Sequence, residues 1–272
     1  MENNSRLIGV VSDAFTHSFT VRLLDEVNRQ LNARGYAAVL IDSSACDSAL
    51  EVLPLLGGLL LLSGQMNKTL YAAAEALPVV HLGEALQRGN DIAGEEIARL
   101  LLSQGHQRFG YMQIDDNSTL LLTGFTRMLA CADKPLNAVL TAGSSNEREY
   151  AYRAMMAYLK QARSSERINA LLCENDLLAF GALQAVRDFG QGAHVAVVGC
   201  GDIDEAAAST WHLTTWAQRY ARQAEEAINR LFNPNLNRND TDNPGGELRV
   251  RHSHLAKSVP GEMAQCGCAI RH

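Results

Sequence analysis

Two polar turns, each closing an apolar run, carry the side chains best suited to holding a small molecule. Ala170 to Cys173 is apolar and stops at Glu174-Asn175-Asp176, where a helix pattern begins at once. Asn175 and Asp176 therefore read as turn and N-cap residues. Val195 to Val198 is apolar and stops at Gly199-Cys200-Gly201-Asp202. Carboxamides both donate and accept hydrogen bonds, and carboxylates accept them. At the carboxyl ends of parallel strands such groups are where open α/β sheets take small ligands. Capping alone would account for Asn175 and Asp176; their place at a strand end adds the ligand reading.

Five further residues belong to the same inventory. Asp13, with Ser12, ends the first strand-like run, and plain turn chemistry is its alternative. Phe19 opens a helix pattern and reads as a core residue. Gln218 and Tyr220 follow Leu213-Thr214-Thr215, and Tyr220 either stacks on a ligand ring or packs a helix. Asn146 stands just before a helix and reads as a cap more than as a contact.

Other signals carry no chemistry. Gly199-Cys200-Gly201 follows a strand but lacks the third glycine of a dinucleotide turn. His252 and His254 with Cys266 and Cys268 lack paired zinc spacing and read as surface residues. No Gly-x-Ser-x-Gly elbow occurs and no Cys/His couple has support. The expectation is a binding protein, not an enzyme, with no cofactor and no metal.

The elements that position these residues alternate. Strand-like runs at 7–11, 37–41, 59–62, 78–82, 109–112, 138–141, 171–172, 195–198 and 247–252 are interleaved with helix-like runs at 18–34, 67–76, 91–104, 119–132, 147–163, 175–189 and 218–232. Such alternation predicts parallel sheets with right-handed crossovers. Runs as apolar as Leu59 to Leu62 imply burial on both faces. The 272 residues, 47% of them hydrophobic, suffice for two lobes. The net charge of −6 offers no broad basic surface to nucleic acid. Six scattered cysteines form no disulfide framework, and no stretch is long and apolar enough to span a bilayer, so a cytoplasmic location is expected.

Several pieces, in order, resemble the effector-binding core of lactose-repressor/GalR-type transcription regulators. They are Leu7 to Asp13, Pro78 to Leu82, Gly105-His106 to Tyr111, Thr123-Gly124-Phe125, Asn175-Asp176-Leu177-Leu178-Ala179-Phe180-Gly181, Val197 to Asp202, Leu213-Thr214-Thr215 with Gln218, and Glu247 to Arg251. The resemblance covers Leu7 to about Ser253. It implies two Rossmann-like lobes with parallel sheets joined by three crossovers, the periplasmic-binding-protein-like type I fold. The lobes would be 1–90 with 218–245 and 91–217 with 246–258, and 259–272 would be an irregular tail. It further implies a cleft, with Phe19 as a wall, closing on a sugar or related effector, a homodimer, and operator DNA bound only through an N-terminal helix-turn-helix headpiece that this chain lacks. The alternative is a stand-alone periplasmic-type binding protein for transport. Three positions depart from the sugar-binding pattern: Leu121 replaces an arginine, Gly201 an aspartate, and Gly83 another aspartate. A less hydroxylated ligand than a typical sugar is therefore expected, since unmatched buried polar groups are costly.

Overall fold

Alternating apolar and amphipathic stretches fold into two units in the computed structural model, which describes residues 5–13, 15, 18–43, 47–62, 66–82, 89–117, 119–143, 146–190, 193–233 and 245–255. Unit 1 is Met1–Arg88 with Arg219–Gly245, and unit 2 is Gly89–Gln218 with Gly246–His272. In chain order the elements are β1 (Leu7–Ser12), α1 (Ser18–Ala33), β2 (Ala37–Asp42), α2 (Asp47–Val52), β3 (Gly58–Leu61), α3 (Lys68–Ala73) and β4 (Val79–His81). Then come α4 (Asn90–Ser103), β5 (Phe109–Gln113), α5 (Leu120–Cys131), β6 (Leu136–Thr141), α6 (Glu147–Gln161), β7 (Ala170–Cys173), α7 (Asp176–Phe189), β8 (Ala196–Cys200), β9 (Thr214–Gln218), α8 (Tyr220–Phe232) and β10 (Gly246–Arg249).

Unit 1 has a parallel sheet in the order β2-β1-β3-β4. Its strands are apolar on both sides because both faces are covered. Ile8, Val10 and Leu60 meet Leu23 and Val27 of α1 and Ile228 of α8. Val11, Leu59 and Leu61 meet Leu53 and Leu70 on the other face. Unit 2 has a six-stranded sheet in the order β10-β9-β8-β7-β5-β6. Phe109, Tyr111, Leu172 and Val198 face α4 and α5, while Met112, Leu171, Cys173 and Val197 face α6 and α7.

Three features differ from the sequence expectation. β10 pairs with β9 antiparallel, so the sheet of unit 2 is mixed at one edge. Residues 214–218, absent from the strand-like runs, form strand β9 between β8 and β10, and the following helix starts at Tyr220 rather than 218. Helix α2 was not expected, because it is only six residues long and borders an apolar run with Pro54, Gly57 and Gly58.

After β10 the chain is pinned to unit 2 by polar contacts. Ser253 Oγ accepts from Thr214 N at 2.8 Å and donates to Val197 O at 2.6 Å. His254 Nδ1 lies 3.0 Å from Thr214 Oγ1, and His106 Nε2 lies 2.9 Å from His254 O. Burial, then His106 and His252, hold the His254 imidazole below its ordinary value. Protonation therefore costs the folded state more than the unfolded chain. The ring's contribution is complete above the ordinary histidine value of about 6.5 and is lost as pH falls through the lower folded value. Amide exchange of Arg251–Leu255, corrected for intrinsic rates, should report more frequent opening at pH 5 than at pH 7. Equal opening at both would refute this.

Candidate functional site

In each sheet the strand order reverses once. The chain leaves β1 for β2 on one side and returns to β3 on the other; likewise β5 leads to β6 and then back to β7. Helices starting at such a point diverge and open a crevice at the carboxyl ends of the two strands. In unit 1 that point carries Ser12 and the exposed Asp13. In unit 2 it carries Ile114 after β5 and Glu174-Asn175 after β7.

Asn175 caps α7: with extended backbone, its Oδ1 accepts from Leu178 N at 2.9 Å. Its Nδ2 donates to Glu147 Oε2 at 2.6 Å. Glu147 is the first residue of α6 and only 7% exposed. An N-terminal helix position favours its negative charge. Asn146, read as a cap, makes no capping bond. It stands exposed at φ 49°, a left-handed conformation that asparagine tolerates.

Asp176, expected as a contact, is an internal strut instead. It is 1% exposed, Oδ1 accepts from Thr215 Oγ1 at 2.5 Å, and Oδ2 accepts from Ile203 N at 2.8 Å. Burial pushes its carboxyl up to about 6 against the pull of those two donors. Asp202, with φ 52°, accepts from Arg251 Nη2 at 2.7 Å, and the same guanidinium holds Leu213 O through Nη1 at 2.7 Å. Gln218 donates through Nε2 to Asn90 Oδ1 at 2.9 Å, while its buried Oε1 has no donor among the described residues.

Tyr220 is 8% exposed in the core of unit 1, with the Arg22 guanidinium 5.9 Å from its ring centroid. Phe19 lies in the first turn of α1. Leu121, in α5, is buried in the core that α5 shares with α4, while Gly83, like Cys266 and Cys268, falls outside the described residues. Among the described residues no three His, Cys, Asp or Glu side chains are placed to hold a metal, and no helix is long and apolar enough to cross a membrane.

Glu174 and Glu147 escaped the sequence reading as site residues. Glu174 Oε2 accepts from Ile114 N at 2.7 Å and Oε1 from the Tyr111 hydroxyl at 3.1 Å. Burial raises its affinity for a proton. The available signal was an acid in a turn between a buried strand and a cap; for Glu147 there was none, since an acid in the first turn of a helix is routine.

Comparison with known proteins gives one consistent result. The periplasmic binding protein-like domain matches residues 98–254. The HTH-type transcriptional repressor PurR of Proteus mirabilis is 24% identical over 261 residues, covering 88% of this chain and 76% of that protein. A LacI regulator from Lactobacillus casei with bound Tris superposes with a TM-score of 0.73 at 22% identity, over 91% of this chain and 97% of that one. A LacI family transcriptional regulator from an Arthrobacter species, in complex with lactose, superposes with a TM-score of 0.74 at 17% identity, over 92% and 99%.

Proposed function

The chain belongs to the periplasmic binding protein-like family and is an effector-binding core of the LacI/GalR type, and from that premise we propose that it senses a small metabolite held by the loops at the carboxyl ends of the strands of unit 2. The reading rests on Asn175, a capping amide at the strand-order reversal of unit 2 with one hydrogen on Nδ2 beyond its bond to Glu147. Gln218, at the end of β9 in the same unit, adds a buried Oε1 that lacks a donor among the described residues. Binding shifts the population of a homodimer between states of different operator affinity. The relatives found are transcriptional regulators, and one structural neighbour carries lactose.

Melting-temperature titration with lactose, cellobiose, glucosamine and adenine tests this. A compound bound at 100 times its dissociation constant adds about 2.7 kcal/mol. Asn175→Ala should lose that gain in addition to about 1 kcal/mol of capping. No shift with any of the four in the unsubstituted protein would remove the effector reading.

A further inference from the structure

The polar groups at the reversal point of unit 2 differ in what they have left to offer. Glu174 has both oxygens occupied, by Ile114 N and the Tyr111 hydroxyl. Asp176 is buried with both oxygens occupied. Glu147 is the exception. One oxygen, Oε2, accepts from Asn175 Nδ2 at 2.6 Å. The other, Oε1, has no hydrogen-bond partner among the described residues.

The bond to Glu147 also settles the orientation of Asn175. A carboxylate accepts only, so it selects the NH2 side of the amide, while Leu178 N selects the oxygen side. The amide cannot flip without breaking both. What remains is a fixed couple: one amide hydrogen and one carboxylate oxygen, presented by the first residue of α6 and the cap of α7.

We propose that Glu147 is a specificity-determining contact of the effector site, its free oxygen accepting from a hydroxyl or amino group of a ligand that carries no negative charge. This rests on the effector reading above and names the chemistry of that same site. A hydroxyl group matches the couple, donating to Glu147 and accepting from Asn175. An amino group matches the carboxylate alone. A phosphate or carboxylate would bring negative charge against Glu147 with no donor to offer, which is unfavourable beside a carboxylate that is itself largely buried. The role also fits the leucine at position 121: with no guanidinium there to fork onto paired hydroxyls, the polar selection falls to a carboxylate.

Glu147→Gln separates contact from support. The amide oxygen of the glutamine still accepts from Asn175, while its NH2 replaces the free acceptor by a donor. The unliganded melting temperature should change by no more than about 2 °C, near 0.5 kcal/mol for a chain of this size. Affinity for whichever of lactose, cellobiose, glucosamine or adenine binds the unsubstituted protein should fall about tenfold or more, equivalent to about 1.4 kcal/mol. Glu147→Asp keeps the charge but loses the reach, and should lose the same compounds. Calorimetry with glucose 6-phosphate supplies the anionic arm. Retained affinity in both variants would overturn the role of Glu147 while leaving the effector reading intact. Tighter binding of glucose 6-phosphate than of the neutral or amino compounds would overturn the ligand class. Failure of every compound on the unsubstituted protein would count against the effector reading itself.

Discussion

Replacing Gly124 by alanine is expected to destabilise the protein by about 3 kcal/mol or more, at the upper end of what a single added methyl does in a packed interior. Gly124 lies in α5 where the helix touches α4 backbone to backbone. A Cβ there would stand 1.8 Å from Asp91 O. The contact is reciprocal, since a Cβ on Gly94 of α4 would stand 2.2 Å from Leu121 O and 2.5 Å from Phe125 N. Backbone cannot swing aside as a side-chain tip can, so the helices must separate and open the packing of Phe125, Ile97 and Leu101. Helix propensity works the other way, alanine being favoured over glycine by about 1 kcal/mol, and the overlap outweighs it. The exposed Arg127–Asp91 and Arg127–Glu95 pairs across the same helices are too well solvated to hold them together. Urea denaturation should show a clearly lower midpoint for Gly124→Ala, while Thr123→Ala on the exposed side of the turn stays within about 0.5 kcal/mol. An unchanged midpoint for Gly124→Ala would mean that the helices do not meet as closely as described.

At Asp176 the direction of the effect depends on which residue replaces it. Its buried carboxyl titrates near 6, against an ordinary value of 3.8. The folded state therefore binds more protons than the unfolded chain between those values. A raised carboxyl gives its full contribution below about pH 4, and stability declines as pH rises through about 6. A shift of about two units corresponds to about 3 kcal/mol. Asp176→Asn should flatten that slope. Its Oδ1 can still accept from Ile203 N and its Nδ2 can donate to Thr215 Oγ1, so at pH 7.5 the variant should be as stable as the unsubstituted protein or more so. Asp176→Ala instead leaves a buried N–H and a hydroxyl without partners, at a cost of about 2–4 kcal/mol. Melting temperatures of the three proteins from pH 4 to pH 8 decide the matter. A slope that persists in Asp176→Asn would place the titrating group elsewhere.

The two outcomes bear on how a site is read from sequence. Asn175 and Asp176 are adjacent and similar in type, and both stand at a strand end. Sequence treats them alike. In the fold one is a cap with a hydrogen to spare, and the other is a strut between β9 and the turn after β8. The choice is made by Thr215 and Ile203, which lie 39 and 27 positions away along the chain. Tyr220 offers the same lesson, because stacking on a ligand and packing a helix call for the same residue at the same spacing. Burial against α1 decides for packing.

What the sequence determined by itself is the architecture. Apolar runs bounded by turn residues and alternating with amphipathic helices leave few topologies besides parallel sheets covered on both faces, because that is how such strands bury both sides. The motif around Gly124 and the cap at Asn175 are likewise local and legible. What only the tertiary structure decided is which polar atoms are already satisfied. Whether Glu147 meets Asn175, whether Asp202 is neutralised by Arg251, and whether β10 runs antiparallel to β9 depend on contacts between segments distant in sequence. Local propensity carries no information on such pairings, since hydrogen bonds form between whatever donors and acceptors the packed elements bring within about 3 Å.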